Sequence, residues 1–399
     1  MKLIVIRFTK AIFFVVLFFS CNNESVSDKN LVTKKNEIEI SFKEFDKSKI
    51  TERLKELISD LHKGKIDKKF LLDENLGLTE STLSIIKDEF FSKDKETIQK
   101  RIDLINLYPT SKGQYLISLS FTSLSTEGFT EIDFIVDLIA VEELGETYFT
   151  IPLRYYTRHW SKEAVGKITY NFRGNLNLDR ASLFDQKNNI IATNLGTKPE
   201  FLNFYITDNY QEILKLRGFK YKSSSKGDYR DGYGVVDNTI FAVMGNEDFS
   251  HDMLHYYSSS IHNKADRNWI VEEGLAYLWG NAYYGDLRGE TITQSKLVQR
   301  LSDYIKENPD ENLFELFNED SKVFEDIAPE ISTQSIITGV ILSELRRTNG
   351  LNTVVALIEI GRKDSKATFL EELQKLGIDK QNFHSYVSRA ILNYLKYSS

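Results

Sequence analysis

Apolar residues in this chain recur with two different periods, and the change between them divides it. In 51–63, Leu54, Leu57, Ile58 and Leu61 fall at helical spacing. The same period predicts a second helix over 79–91 and a third over 94–107, the latter through Ile98, Ile102 and Ile105. The period then becomes two. Tyr115, Ile117, Leu119 and Phe121 alternate with mostly polar neighbours, which predicts a half-buried strand. Stretches 132–141 and 148–156 predict two more strands joined by a turn over 142–146, and Ile168, Tyr170 and Phe172 predict a short one.

Past residue 200 both periods occur. A strand is expected over 201–206. Asp208, with Gln211 three residues on, reads as a helix start, and Gly218 as its stop. The Ser/Gly-rich stretch 223–234 reads as a loop. A strand from Asn238 then leads almost directly into a helix carrying His251. Helices follow over 293–306, 330–347, 352–361, 367–376 and 382–395, with Gly350 and Gly377 as stops. The expected class is α+β: a helical region (37–109) and a β-rich module (110–198), followed by a mainly helical half (199–399) with a small sheet. Tyr155, Tyr156 and Trp160 in the β-rich module are expected to pack in a core rather than form a binding face. His62, alone on a polar stretch, is expected to be solvated.

The N-terminus changes the picture. Lys2, Arg7 and Lys10 precede an unbroken apolar run over 11–19, too short to favour a spanning helix. The run ends in Ser20-Cys21, and 22–36 is polar and tether-like. This resembles a bacterial lipoprotein signal (1–20) followed by a tether (21–36). The resemblance implies that Cys21 is lipidated, becomes the first residue of the mature chain and holds the protein on a membrane of the cell envelope. Cys21 is the only cysteine, so no disulfide is available and stability is expected to come from packing. The net charge of −7, with no recurrent basic stripe, argues against nucleic acid as a partner.

The candidate chemistry lies in 250–284. His251 and His255, spaced i, i+4, project from one face of a helix one turn apart, where two imidazoles can grip one metal ion. A loop over 263–268 leads to a second apolar stretch carrying Glu272, Glu273 and Gly274. A carboxylate there could fold back as a third ligand and leave a position open for water, the pattern of a catalytic site. Adjacent helical positions are about 100° apart, so Glu272 and Glu273 cannot both face one ion. His262 lies about 10 Å along the helix from His255 and reads as a helix-end residue.

These residues resemble the gluzincin metallopeptidases, in particular bacterial peptidase-MA-like proteins, which carry H-E-x-x-H on one helix and a Glu, often in W-x-x-E-G-x-A, on the next. The matching positions are His251, Asp252 and His255, then Trp269, Glu273, Gly274 and Ala276, with one extra residue after Trp269. The resemblance covers roughly the last half of the chain. It implies a thermolysin-like catalytic domain with an edge strand beside the substrate cleft, and a zinc ion held by His251, His255 and Glu273. It implies a peptide or protein substrate and a general base at position 252. It departs from the family there, because Asp252 stands where the family has Glu. Tyr284, with Tyr283 beside it, is the phenol that analogy offers for stabilising the oxyanion. Two functions stay open on this reading: an exported, lipid-anchored zinc peptidase, and a non-catalytic lipoprotein whose metallopeptidase-like half binds a metal, a peptide or a partner.

Overall fold

The structure is a computed structural model that describes residues 38–41, 48–91, 97–125, 128–225, 233–242, 247–280, 292–328 and 330–397. Cys21, Tyr283 and Tyr284 lie outside these residues.

The first half starts with β1 (Ile38–Ser41), α1 (Ser48–His62) and α2 (Leu76–Ile86), which runs on through a π turn to Phe91. Long strands follow: β2 (Thr97–Ser111), β3 (Gln114–Ser125), β4 (Thr130–Glu143) and the short β5 (Glu146–Thr150). β1 pairs parallel to β2, and β2 to β5 form an antiparallel meander. The inward positions of this sheet, including Ile102, Ile117, Leu119, Phe121, Phe134 and Val136, bury against Leu54, Leu57, Ile58 and Leu61 of α1. Each set is the apolar stripe of its own period, so the two stripes close one core.

Two expectations in this half are corrected. The helix expected over 94–107 is β2 along its described part. Ile102 and Leu104 are buried on either side of a partly exposed Asp103, which is strand alternation. Ile105, next in the alternation, is 42% exposed, and a register shift falls between Leu104 and Asn106. Ile102 and Ile105, three apart, therefore lie on opposite faces of a strand rather than on one helical face. The strand expected over 148–156 ends at Thr150. Pro152 has no N–H for the ladder, and a short helix α3 (Leu153–Thr157) begins there instead.

The chain continues through β6 (Ser161–Val165), β7 (Ile168–Phe172), α4 (Leu178–Asn194), β8 (Leu202–Ile206), α5 (Tyr210–Leu216), β9 (Phe219–Lys222), β10 (Tyr233–Val236) and β11 (Thr239–Ala242). A second sheet has the order β10-β11-β8-β7-β6, with β7, β8 and β11 parallel and the two outer strands antiparallel to their neighbours. α4 crosses between β7 and β8. It buries Ala181, Phe184, Asn188 and Ile191, but Leu183 and Ile190 on its outer face blur the stripe, and the sequence pattern does not reveal it. β6, β7 and α4, which the sequence reading groups with 110–198, pair and pack with the second half. β9 goes the other way and pairs with β4, so the chain crosses between the two cores three times. β11 lies inside the sheet, and the edge is β10. Tyr156 and Trp160 pack in a small cluster between the cores, with Trp160 against Tyr205.

The remainder is helical: α6 (Ser250–Ile261), α7 (Trp269–Trp279), α8 (Gln294–Glu307), α9 (Leu313–Glu319), α10 (Thr333–Asn349), α11 (Leu351–Ala356), α12 (Ser365–Lys375) and α13 (Phe383–Tyr397). The protein is α+β. α7 is its most enclosed helix, packed against α6, α10 and α12. No helix among the described residues is long and apolar enough to cross a membrane.

Candidate metal centre

α6 turns Met253, Leu254, Tyr257 and Ser258 into the core. His251 and His255 lie on the border of that face, with side chains 15% and 26% exposed. The helix start is tied down by the Asp248 carboxylate, which accepts a 2.8 Å bond from the Ser250 N–H. α7 is anchored at its start by Asn268. The Asn268 side chain accepts from the Val271 N–H at 3.2 Å, and its amide donates to the carbonyls of Gly361 and Ser365 at 3.1 and 2.9 Å. One residue therefore caps α7 and fixes it to the turn before α12.

Glu273 points from α7 to the two imidazoles. Its Oε1 lies 3.0 Å from His255 Nε2 and its Oε2 lies 3.4 Å from His251 Nε2. One ligand atom from each of the three residues fits within a 4.8 Å cluster, and the group could hold a metal ion. Glu272 also reaches α6, but about one turn beyond His255, and does not join the cluster. It is buried, accepts a hydrogen bond from the Ser258 hydroxyl and pairs with Arg267 Nη1 at 3.2 Å. Of the two adjacent carboxylates, Glu273 joins the histidines.

Gly274 explains how α7 comes to this position. A Cβ there would meet Thr338 Cγ2 at 2.5 Å and the Gly339 backbone nitrogen at 3.0 Å. Across the contact, a Cβ on Gly339 would meet the Gly274 carbonyl at 2.9 Å. The glycine of the E-G pair thus lets α7 and α10 cross almost backbone to backbone. Glu273 is the residue just before that crossing.

The charges in the site reinforce one another. Burial pushes the Glu273 carboxyl up, but hydrogen bonds from His251 and His255 and their charge outweigh it, bringing its pKa down to about 2. Burial works against a charged His255, but the hydrogen bond and charge of Glu273, with smaller help from Asp252 and Glu272, raise its pKa on balance. Asp252 sits on the first turn of α6, partly exposed, and is close enough for its charge to act on His255.

The sequence reading missed one neighbour of this centre. The buried ring of Tyr277 stands edge-on to His251, with centroids 5.0 Å apart and planes at 90°. It lies four residues after Glu273, so helical spacing alone places it on the same face of α7. His262 caps α6, its Nδ1 lies 2.6 Å from a Glu359 carboxylate oxygen, and it stays out of the cluster. No protein-family model and no curated protein matches the chain.

Proposed function

We propose that this chain is a zinc-dependent peptidase of the gluzincin type, acting outside the cytoplasm of a bacterial cell and held at the envelope by a lipid on Cys21. The observation that carries the reading is the convergence of His251, His255 and Glu273 from α6 and α7. Two imidazole nitrogens and a carboxylate oxygen are an ordinary zinc donor set. Around an ion with ligand bonds of about 2.0–2.1 Å, tetrahedral donors stand about 3.3–3.4 Å apart. The Glu273 oxygens lie 3.0 and 3.4 Å from the two Nε2 atoms, and one ligand atom from each side chain lies within 4.8 Å of the others, so the group could hold one ion.

A zinc ion bound there would supply a Lewis acid and a water of lowered pKa. The chain's own residues do the rest. His251, His255 and Glu273 hold the donor geometry through the two packed helices. Asp252, next to His251 on the same turn, accepts the proton of the attacking water and passes it to the leaving amine. β10, the edge strand near α6, gives an extended peptide backbone a strand to pair with. Asp252 also favours the second reading, a non-catalytic scaffold for a metal, a peptide or a protein partner. Its side chain is one methylene shorter than the family's Glu, withdrawing the carboxylate by about 1–1.5 Å. A misplacement of that order can cost about a hundredfold in rate.

The test is zinc content and peptide hydrolysis of the wild type, Asp252→Asn and Asp252→Glu. The peptidase reading expects Asp252→Asn to keep its zinc and lose activity. If reach limits turnover, Asp252→Glu raises it. A wild type that binds zinc and cleaves nothing, with Asp252→Glu equally silent, rejects catalysis and leaves the scaffold.

A further inference from the structure

The ion pair behind Glu273 does nothing in the chemistry above, yet it touches all three segments that build the centre. Ser258 lies on α6, one turn beyond His255. Arg267 lies in the loop between the helices, and Glu272 on α7 directly precedes Glu273. The three meet at Glu272, whose side chain is 3% exposed, against 13% for Arg267. The Ser258 hydroxyl donates to Glu272 Oε1, and Arg267 Nη1 lies 3.2 Å from the same oxygen.

A buried ion pair is a poor device for stability. Desolvating two charges can cost as much as their attraction returns, and apolar residues of similar size in the same place are often as stable or more so. Simple packing therefore does not account for Arg267 and Glu272 in a helix pair already well supplied with apolar residues. Their placement does. Glu272 and Glu273 are neighbours separated by about 100° around α7, so fixing the direction of one fixes the other. Tying Glu272 to α6 through Ser258 and to the loop through Arg267 sets the rotation of α7 against the helix that carries both histidines. Arg267 also neutralises a second carboxylate next to the centre, leaving Glu273 as the one that faces the imidazoles.

We infer that Ser258, Arg267 and Glu272 are positioning residues for the metal centre, setting the angle at which Glu273 meets His251 and His255. This rests on the metal-binding reading of those three residues, though not on peptidase activity. The test replaces the network by apolar groups, Ser258→Ala/Arg267→Met/Glu272→Met, in the folded soluble chain. Zinc affinity is measured by chelator competition, the visible spectrum after cobalt substitution, and thermal stability without metal. The expected result separates the readouts. Metal-free stability stays at or above wild type, zinc affinity falls about 10–100-fold as for other outer-shell changes, and the cobalt spectrum shifts. Wild-type zinc affinity and an unchanged cobalt spectrum in the triple variant would overturn the inference and leave the metal reading intact. A wild type that takes up no zinc or cobalt would overturn both. If the triple variant does not fold, Ser258→Ala alone carries the test. It removes a single hydrogen bond to Glu272, and should weaken zinc several-fold with little loss of stability. Unchanged affinity there counts against the inference in the same way.

Discussion

Gly274→Ala is the substitution on which helix propensity and tertiary packing disagree most sharply. Gly274 lies inside α7, where alanine is favoured over glycine by about 1 kcal/mol. By that rule the substitution stabilises. The packing says otherwise. The new Cβ would lie 2.5 and 2.8 Å from Thr338 Cγ2 and Cβ, and 3.0 Å from the Gly339 nitrogen. Rotating one side chain cannot relieve a contact that includes the α10 backbone, so the two helices must separate. Overpacking of this kind costs about 1–3 kcal/mol, and three contacts at or below 3 Å place it near the upper end. Subtracting the propensity gain leaves a net loss of roughly 2 kcal/mol. Because Glu273 is the preceding residue, the same separation withdraws it from His251 and His255, and zinc affinity should fall by about tenfold. Urea denaturation and chelator competition measure the two effects. Thr338→Ser removes the nearest offending atom, so the double variant Gly274→Ala/Thr338→Ser should recover part of both losses. If Gly274→Ala is more stable than wild type and binds zinc equally well, the close crossing of α7 and α10 does not set the position of Glu273.

Three further predictions follow from other parts of the chain. Glu273→Ala should abolish zinc uptake by the folded protein, whereas Glu272→Ala should weaken it without abolishing it; the reverse pattern of zinc stoichiometry would make Glu272 the ligand. Hydrogen bonds from Arg347 foremost, and from Asn393, hold the Glu344 carboxyl below its ordinary value of 4.5. A depressed carboxylate contributes its stability above the unfolded pKa and loses it as pH falls through the folded one. The stability gap between wild type and Glu344→Gln should therefore be full at neutral pH and shrink below about pH 4.5 in urea titrations. Cys21→Ser should release the protein from the membrane fraction and abolish lipid labelling; unchanged fractionation and labelling would rule out the anchor.

Much of this molecule follows from local pattern. The apolar stripes of α1 and α8 are one-faced, and Tyr115, Ile117, Leu119 and Phe121 alternate in β3, so their period is enough to name them. The His251 and His255 pair is equally local, since one helical turn brings both rings to one face whatever surrounds them. The capping role of His262 at the end of α6 follows from position along one helix. What the tertiary structure decided is of another kind. β2 carries spacing that suits a helix over a few residues, and only its pairing with β3 along its length makes it a strand. α4 shows apolar residues on both faces, and only the sheet beneath it selects which face is buried. The side of α7 that meets α6 depends on the Gly274–Gly339 crossing and on the ion pair at Glu272. Those contacts join residues far apart in the chain, so they select Glu273 over its neighbour where the sequence, with two adjacent glutamates, only limits the choice to one of them.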